Sequence, residues 1–387
     1  MSSDRAEMTS RERMLAALRR QPVDYPPCAP WFNPLSEHQR VGKRWQFPWG
    51  PSERERCEYS KNVLGVDPIV PCGTGGAAPA PGVSSRVWFA DGHICKVYTT
   101  PAGELTSTVR YDDRWPHGLD IPFFSDFNPA HAVKFWIQSE QDLECFSYVH
   151  RPLDRAACLE ATRFAINETK RRIAEPLGLA TWASCGYGLT GALQVFGPTN
   201  VCLLAAEKPE WIHRYLEIDH AVNLRSIEIA LELDIDIIGR NGFYETCDFY
   251  SPRMLEDFLF DKLQAETKLI HEGGKVETYT VNTGVMPLLD LLRRLDLDCL
   301  LSVDIAFNDM DIEVMQEKLA GTKSQWTGPS SSYQLQEQDP EVTRQAVRDC
   351  LRVFGKTGYI LSPAPSAHSI MPWENVLAMI DEWKKLR

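Results

Sequence analysis

The densest run of chemically able side chains in the sequence is GRNGFYETCDFYSP, 239–252, where Arg240, Asn241, Tyr244, Glu245, Cys247 and Asp248 follow a short apolar stretch. A carboxylate and a phenol so close together can hold a small molecule and donate or accept a proton. A second group lies in VETYTVNTG, 276–284, where Tyr279 and Asn282 end a β-favouring run. Polar groups at a buried strand end need partners, from the protein or from a ligand. Other candidates stand singly after apolar runs: Tyr187, Asp304 in LSVD, and His368 in SPAPSAHS. Asp304 suits an ion pair with an Arg or the role of a base, and His368 could reach a ligand from beyond the last strand. Tyr279, Glu245 and Asp304 are the expected catalytic groups. Asn241, Tyr244, Tyr187, Asn282, Phe32, His368 and Arg240 are the expected substrate contacts.

Several familiar chemistries lack their spacing. There is no HExxH, no CxxC and no His-x-His, so no metal site is expected, although Glu245, Cys247 and His271 would form a donor set if they converged. GxSxG is missing, and GTGG at 73–76 has the wrong spacing for a dinucleotide loop.

The elements that must position these residues can be read in outline. Thr9 and Glu12 form a capping box ahead of Met14, Leu15 and Leu18. PCAPWF (27–32) and DPIVPCGTGG (67–76) each suggest a short strand. Residues 87–109 alternate as an antiparallel hairpin, with turns at Asp91-Gly92 and Ala102-Gly103. Beyond about residue 130, helices alternate with apolar strands at 178–188, 234–243, 275–284, 298–307, 323–330 and 358–365. Ser251-Pro252 and Asp339-Pro340 mark helix starts, and a last helix begins near Trp373. Strand–helix alternation implies a parallel sheet with right-handed crossovers. Polar residues gather at the C-terminal strand ends, so the expected fold is α/β, a (β/α)8 TIM barrel with an N-terminal extension containing a β-hairpin, and its active site at the C-terminal mouth.

Composition narrows the partners. The 387 residues carry 41 Lys plus Arg against 53 Asp plus Glu, a net charge of −12. That balance argues against a nucleic-acid or anionic-membrane surface. No apolar run reaches the ~18 residues of a membrane span, and the N-terminus does not read as a secretory signal. The 11 Cys are scattered singly, which suits reduced thiols and a cytoplasmic location.

The order and spacing of MTSRERMLAALRRQPVDYPPCAPWF (8–32), VYTTPAGEL (97–105), GRNGFYETCDFYSPRMLEDF (239–258), GVMPLLDLLRRLDLDCLLSVD (284–304), GYILSP (358–363) and WENVLAMIDEW (373–383) resemble the uroporphyrinogen decarboxylase superfamily, in the branch of corrinoid-dependent methyltransferases. The resemblance covers nearly the whole chain. It implies one barrel domain over 1–387, with an extension and first strands to about 130 and the remaining strand–helix units after it. It also implies methyl transfer from a small, methoxylated aromatic substrate to a corrinoid (cobalamin) carried by a partner protein, with a homodimer as a further option. Cofactor-free decarboxylation is the alternative. That reaction would want Arg or Lys at the mouth, and an Arg–Gly–Arg pattern is not evident in PPCAPWFNPLSEHQR. Zinc-dependent members of the superfamily carry His-x-Cys at the strand matching KVETYTV and a Cys after the last strand. The matching residues here are Tyr279 and Val281, with no Cys in SPAPSAH, so zinc is not supported by the motif. Tyr279 would then protonate the leaving group. The DxHxxG signature of a corrinoid domain is absent, because His271 and His368 have the wrong neighbours, which assigns the corrinoid to a separate chain.

Overall fold

A computed structural model describes residues 7–33, 47–308, 310–336 and 339–387. The stretch from Pro34 onward in PPCAPWFNPLSEHQR, and the first six residues of the N-terminus, lie outside the described residues.

Seven parallel strands form one sheet in chain order: β1 (Val70–Pro71), β2 (Thr181–Cys185), β3 (Ile237–Asn241), β4 (Val276–Thr280), β5 (Cys299–Leu301), β6 (Ser324–Thr327) and β7 (Tyr359–Leu361). The sheet curls and its edges meet through an eighth stave at residues 27–29. Leu361 N–H donates to Pro27 O and Ala29 N–H to Leu361 O, both at 2.8 Å, while Asp67 N–H donates to Cys28 O at 2.6 Å on the approach to β1. This is the TIM-barrel architecture that the strand–helix alternation predicts.

The strands named at 67–76, 178–188, 234–243, 275–284, 298–307, 323–330 and 358–365 each contain an observed one, while near 27–32 the strand is Phe32–Asn33, paired with Ala367–His368, and the helices start where the caps indicate. Ser251 Oγ accepts from Met254 N–H ahead of Pro252–Glu272, and Asp339 caps Pro340–Phe354. The hairpin is the core of a four-stranded antiparallel sheet, with Ser84–Ala90, His93–Thr100 and Gly103–Arg110 turning where Asp91-Gly92 and Ala102-Gly103 indicate. Helix α1 (Ser10–Leu18) has its Thr9–Glu12 capping box and plugs the N-terminal end of the barrel. Met14, Leu15 and Leu18 pack on Ile237, Val276, Cys299, Trp326 and Ile360. Two ion pairs lock the plug, Arg11–Asp236 at 2.5 Å and Arg13–Asp67 at 2.6 Å. No single helix among the described residues is long and apolar enough to cross a membrane.

Alternation along the strands decides which side chains reach the barrel interior. On β3, Ile237, Gly239 and Asn241 face inward, while Ile238 and Arg240 face the helices. On β4, Val276, Thr278 and Thr280 face inward, while Glu277 and Tyr279 face outward. Gly239 exists for a packing reason: a Cβ there would stand 2.3 Å from the Trp182 ring, which fills the interior behind it.

Candidate active site

The mouth of the barrel holds a cavity of about 540 Å³ at the C-terminal strand ends. Trp31 and Trp182 form its floor, meeting edge to face at 5.1 Å, and Trp31 stacks on the buried Trp326 at 5.9 Å. Phe32, Phe243 and Tyr244 supply aromatic walls. Asn241, Thr280 and Asn282 bring polar groups from β3, β4 and the residues after them, and Ser366 and His368 bring others from beyond β7. Asn241 donates through Nδ2 to Ser184 Oγ. Asp126 enters from the long connection before β2 and accepts a 2.7 Å hydrogen bond from Gln194 Nε2.

Three residues that line this cavity each carry one buried polar atom without a hydrogen-bond partner among the described residues: Trp31 Nε1, Asn282 Oδ1 and His368 Nδ1. Buried polar atoms are ordinarily paired, so three orphans on residues that line one cavity are unusual. His368 Nε2 lies 3.1 Å from Ser366 Oγ, and burial lowers the imidazole from its ordinary range, leaving it neutral near pH 7. Burial, with the Asp126 carboxylate beside it, pushes the Tyr244 hydroxyl up to about 12.

The residues expected at the site divide into groups. Asn241, Tyr244, Asn282, Phe32 and His368 line the cavity. Tyr279, Glu245 and Arg240 do not, a correction to the expectation that all three meet substrate at the mouth. Odd positions on β4 and even ones on β3 face the helices, where these side chains form a buried network. Tyr279 Oη donates to Glu245 Oε2 at 2.6 Å, Glu245 Oε1 takes Arg240 at 3.0 Å and Leu189 N–H at 2.9 Å, and Arg240 reaches Glu266 at 2.8 Å. Burial and the adjacent Glu245 push the Tyr279 hydroxyl well above its ordinary range. Burial alone would lower Arg240, but Glu245 and Glu266 hold it well above the usual value. Tyr279 is thus an internal hydrogen-bond donor.

Asp304 sits at the strand end, its N–H donating to Asn282 O at 2.8 Å. Its carboxylate is occupied by Ser330 Oγ at 2.8 Å and Ala306 N–H at 3.0 Å, and burial raises it above its ordinary range. Tyr187 lies elsewhere. It stacks on Phe124 at 5.0 Å beside a second cavity of about 540 Å³, near the buried His150–Asp219 pair. Glu245, Cys247 and His271 do not converge, since His271 pairs with Asp298 at 2.8 Å at the N-terminal end of the barrel. Among the described residues, no cluster of three His, Cys, Asp or Glu side chains is arranged to hold a metal.

The family model for uroporphyrinogen decarboxylase (URO-D) matches residues 137–386. The chain belongs to the URO-D family. Its fold resembles that of a methyltransferase from Methanosarcina mazei, with 17% identity over 98% of this chain and 99% of that one and a TM-score of 0.62. A B12-independent methionine synthase from Shewanella sp. W3-18-1 is more distant, with 8% identity over 93% and 96% of the two chains and a TM-score of 0.45. No curated protein matches the sequence.

Within this URO-D barrel, the pair of residues facing the mouth two apart on β4 and its extension is Thr280 and Asn282, rather than Tyr279 and Val281. A hydroxyl and an amide therefore face the mouth from this strand end. Sequence reading missed Asp126, Ser302 and Ser366 at the cavity. Asp126 had one available signal, a carboxylate in the aromatic run PFFSDF, 122–127.

Proposed function

We propose that the protein is a methyltransferase that takes a methyl group from a small methoxylated aromatic compound bound in the mouth cavity and passes it to a corrinoid carried by a partner protein. The observation that carries this reading is the aromatic cavity with three unpartnered buried polar atoms, Trp31 Nε1, Asn282 Oδ1 and His368 Nδ1. A flat apolar ring suits the Trp31–Trp182 floor, and an ether or phenol oxygen suits the polar atoms around it. The corrinoid supplies the nucleophile that accepts the methyl group. Phe32, Phe243 and Tyr244, at the cavity wall, are the residues of this chain that would face it.

What this chain must supply is stabilisation of the departing oxygen. A phenolate leaves far more readily when a hydrogen bond forms to it as charge develops. His368 is suited to that task. In the tautomer where Ser366 Oγ donates to Nε2, the proton sits on Nδ1, the ring nitrogen without a partner among the described residues, and this reading requires that tautomer. Trp31 Nε1–H is a second donor, and Asn282 Oδ1 accepts from a neighbouring hydroxyl. The catalytic roles assigned from sequence to Tyr279 and Glu245 pass in this reading to His368 and Trp31, and Asp304 serves to fix Asn282.

The test is incubation with a reduced corrinoid protein and a panel of methoxylated aromatics, following Co(I) to methyl-Co(III) by absorbance. Turnover is expected, and His368→Ala should lower it by roughly 10²–10³, the usual loss for one preorganised donor. No conversion with any donor, together with CO2 release from an aromatic or pyrrolic acid, would favour the decarboxylase alternative instead.

A further inference from the structure

We propose that the mouth cavity selects an uncharged phenolic methyl ether, with a free hydroxyl beside the methoxy group, over the same ring bearing a carboxylate and over a methylated ammonium ion. This rests on the methyl-donor reading above and narrows it.

Charge is the first discriminator. Among the described residues that line the cavity, Asp126 is the one carboxylate and none is Lys or Arg. Asp126 accepts from the neutral amide of Gln194, and among the described residues no Lys or Arg lines the cavity beside it. His368 adds no positive charge near neutral pH, because burial lowers its imidazole. Arg240, the cation closest in sequence to the mouth residues, faces the helices and is consumed by Glu245 and Glu266. An aromatic carboxylate entering this space would lose its hydration beside a like charge.

Hydrogen bonding is the second discriminator. Trp31 Nε1 can only donate, and Asn282 Oδ1 can only accept. A phenol with a neighbouring ether oxygen offers both a donor and acceptors, one kind for each atom. A trimethylammonium group would be attracted by Asp126 and the aromatic walls. It can neither donate nor accept, however, and would seal both atoms away unpaired. The cavity therefore asks for a neutral ring with a hydroxyl and an ether.

The experiment is isothermal titration calorimetry on the full chain without any corrinoid, near neutral pH, with guaiacol, vanillate and phenyltrimethylammonium. Guaiacol should bind tightest, with vanillate weaker by roughly tenfold or more, as expected for a like charge at short range in a partly buried site. Asp126→Asn, which retains an acceptor for Gln194, should narrow the gap by strengthening vanillate. Asn282→Leu should weaken guaiacol without helping vanillate. Vanillate or the ammonium ion binding the unaltered protein as tightly as guaiacol would overturn the inference, and that ranking needs no variant to fold. If guaiacol, vanillate and a wider set of methoxylated aromatics all fail to bind, the methyl-donor reading itself falls. Vanillate winning while methyl transfer still proceeds would sink only the charge argument.

Discussion

The two faces of β3 and β4 carry polar side chains in similar number and treat them in opposite ways. Outward, Arg240, Glu277 and Tyr279 meet Glu245, Glu266 and Thr267 in a buried network where nearly every polar atom has a partner. Inward and just beyond the strand ends, the cavity keeps Asn282 Oδ1 and its neighbours Trp31 Nε1 and His368 Nδ1 unpaired. A closed network fixes a structure, whereas an open one still has donors and acceptors to give. Polarity at a strand end therefore says less about function than whether its hydrogen bonds are already spent.

The sharpest way to break this contrast is to remove the centre of the closed network. Arg240→Met would strand Glu266 and Glu245 without their cation, and should destabilise the fold by roughly 3–5 kcal/mol in urea unfolding. A loss below about 1 kcal/mol would mean that the network is not the fixed element described here.

A second test uses pH. Burial pushes Glu277 up to about 8 from an ordinary value near 4.5. The folded state therefore holds a proton that the unfolded chain has already released. Its contribution to stability is full below the unfolded value and is lost as pH rises through about 8, with a slope of at most about 1.4 kcal/mol per pH unit. Glu277→Gln, which can still accept from Thr267, should match the parent protein near pH 4.5 and exceed it progressively toward pH 8. Parallel stability–pH curves would refute the assignment.

Tyr279→Phe comes next in size. Removing the donor to Glu245 should cost about 1–3 kcal/mol, with guaiacol affinity unchanged within about twofold by calorimetry. A large loss of affinity with no loss of stability would return Tyr279 to the mouth. The smallest stability change belongs to the inward face. Asn282→Leu deletes an acceptor that has no internal partner, so the fold should hold within about 1 kcal/mol or gain slightly while ligand binding weakens. Marked destabilisation would mean that Asn282 is structural.

Much of this architecture was legible because caps, turns and strand–helix alternation are local signals. Thr9–Glu12, Ser251-Pro252 and Asp91-Gly92 each specify a boundary within a few residues, and the order of strands follows from the alternation itself. The facing of each strand was not legible. ETYT in β4 is buried on both sides, so hydrophobicity does not alternate, and nothing local distinguishes Tyr279 from Thr280. A slip of one residue then exchanges lumen for helix layer. Asp126 was missed for a different reason. It lies in an irregular connection without period, and joins the cavity through tertiary contacts with Gln194 and Tyr244.

The tryptophan floor has an optical consequence. Trp31, Trp182 and Trp326 sit with ring centroids 5.1 and 5.9 Å apart, close enough to exchange excitation, and Trp31 and Trp182 form the surface on which a ligand would lie. Light absorbed by the buried Trp326 can therefore be emitted or quenched at the cavity, so a ring settling on the floor would alter emission from all three. Against the background of 11 tryptophans, a Trp31→Phe difference spectrum would isolate that signal and turn the base of the cavity into a built-in reporter of whether it is filled.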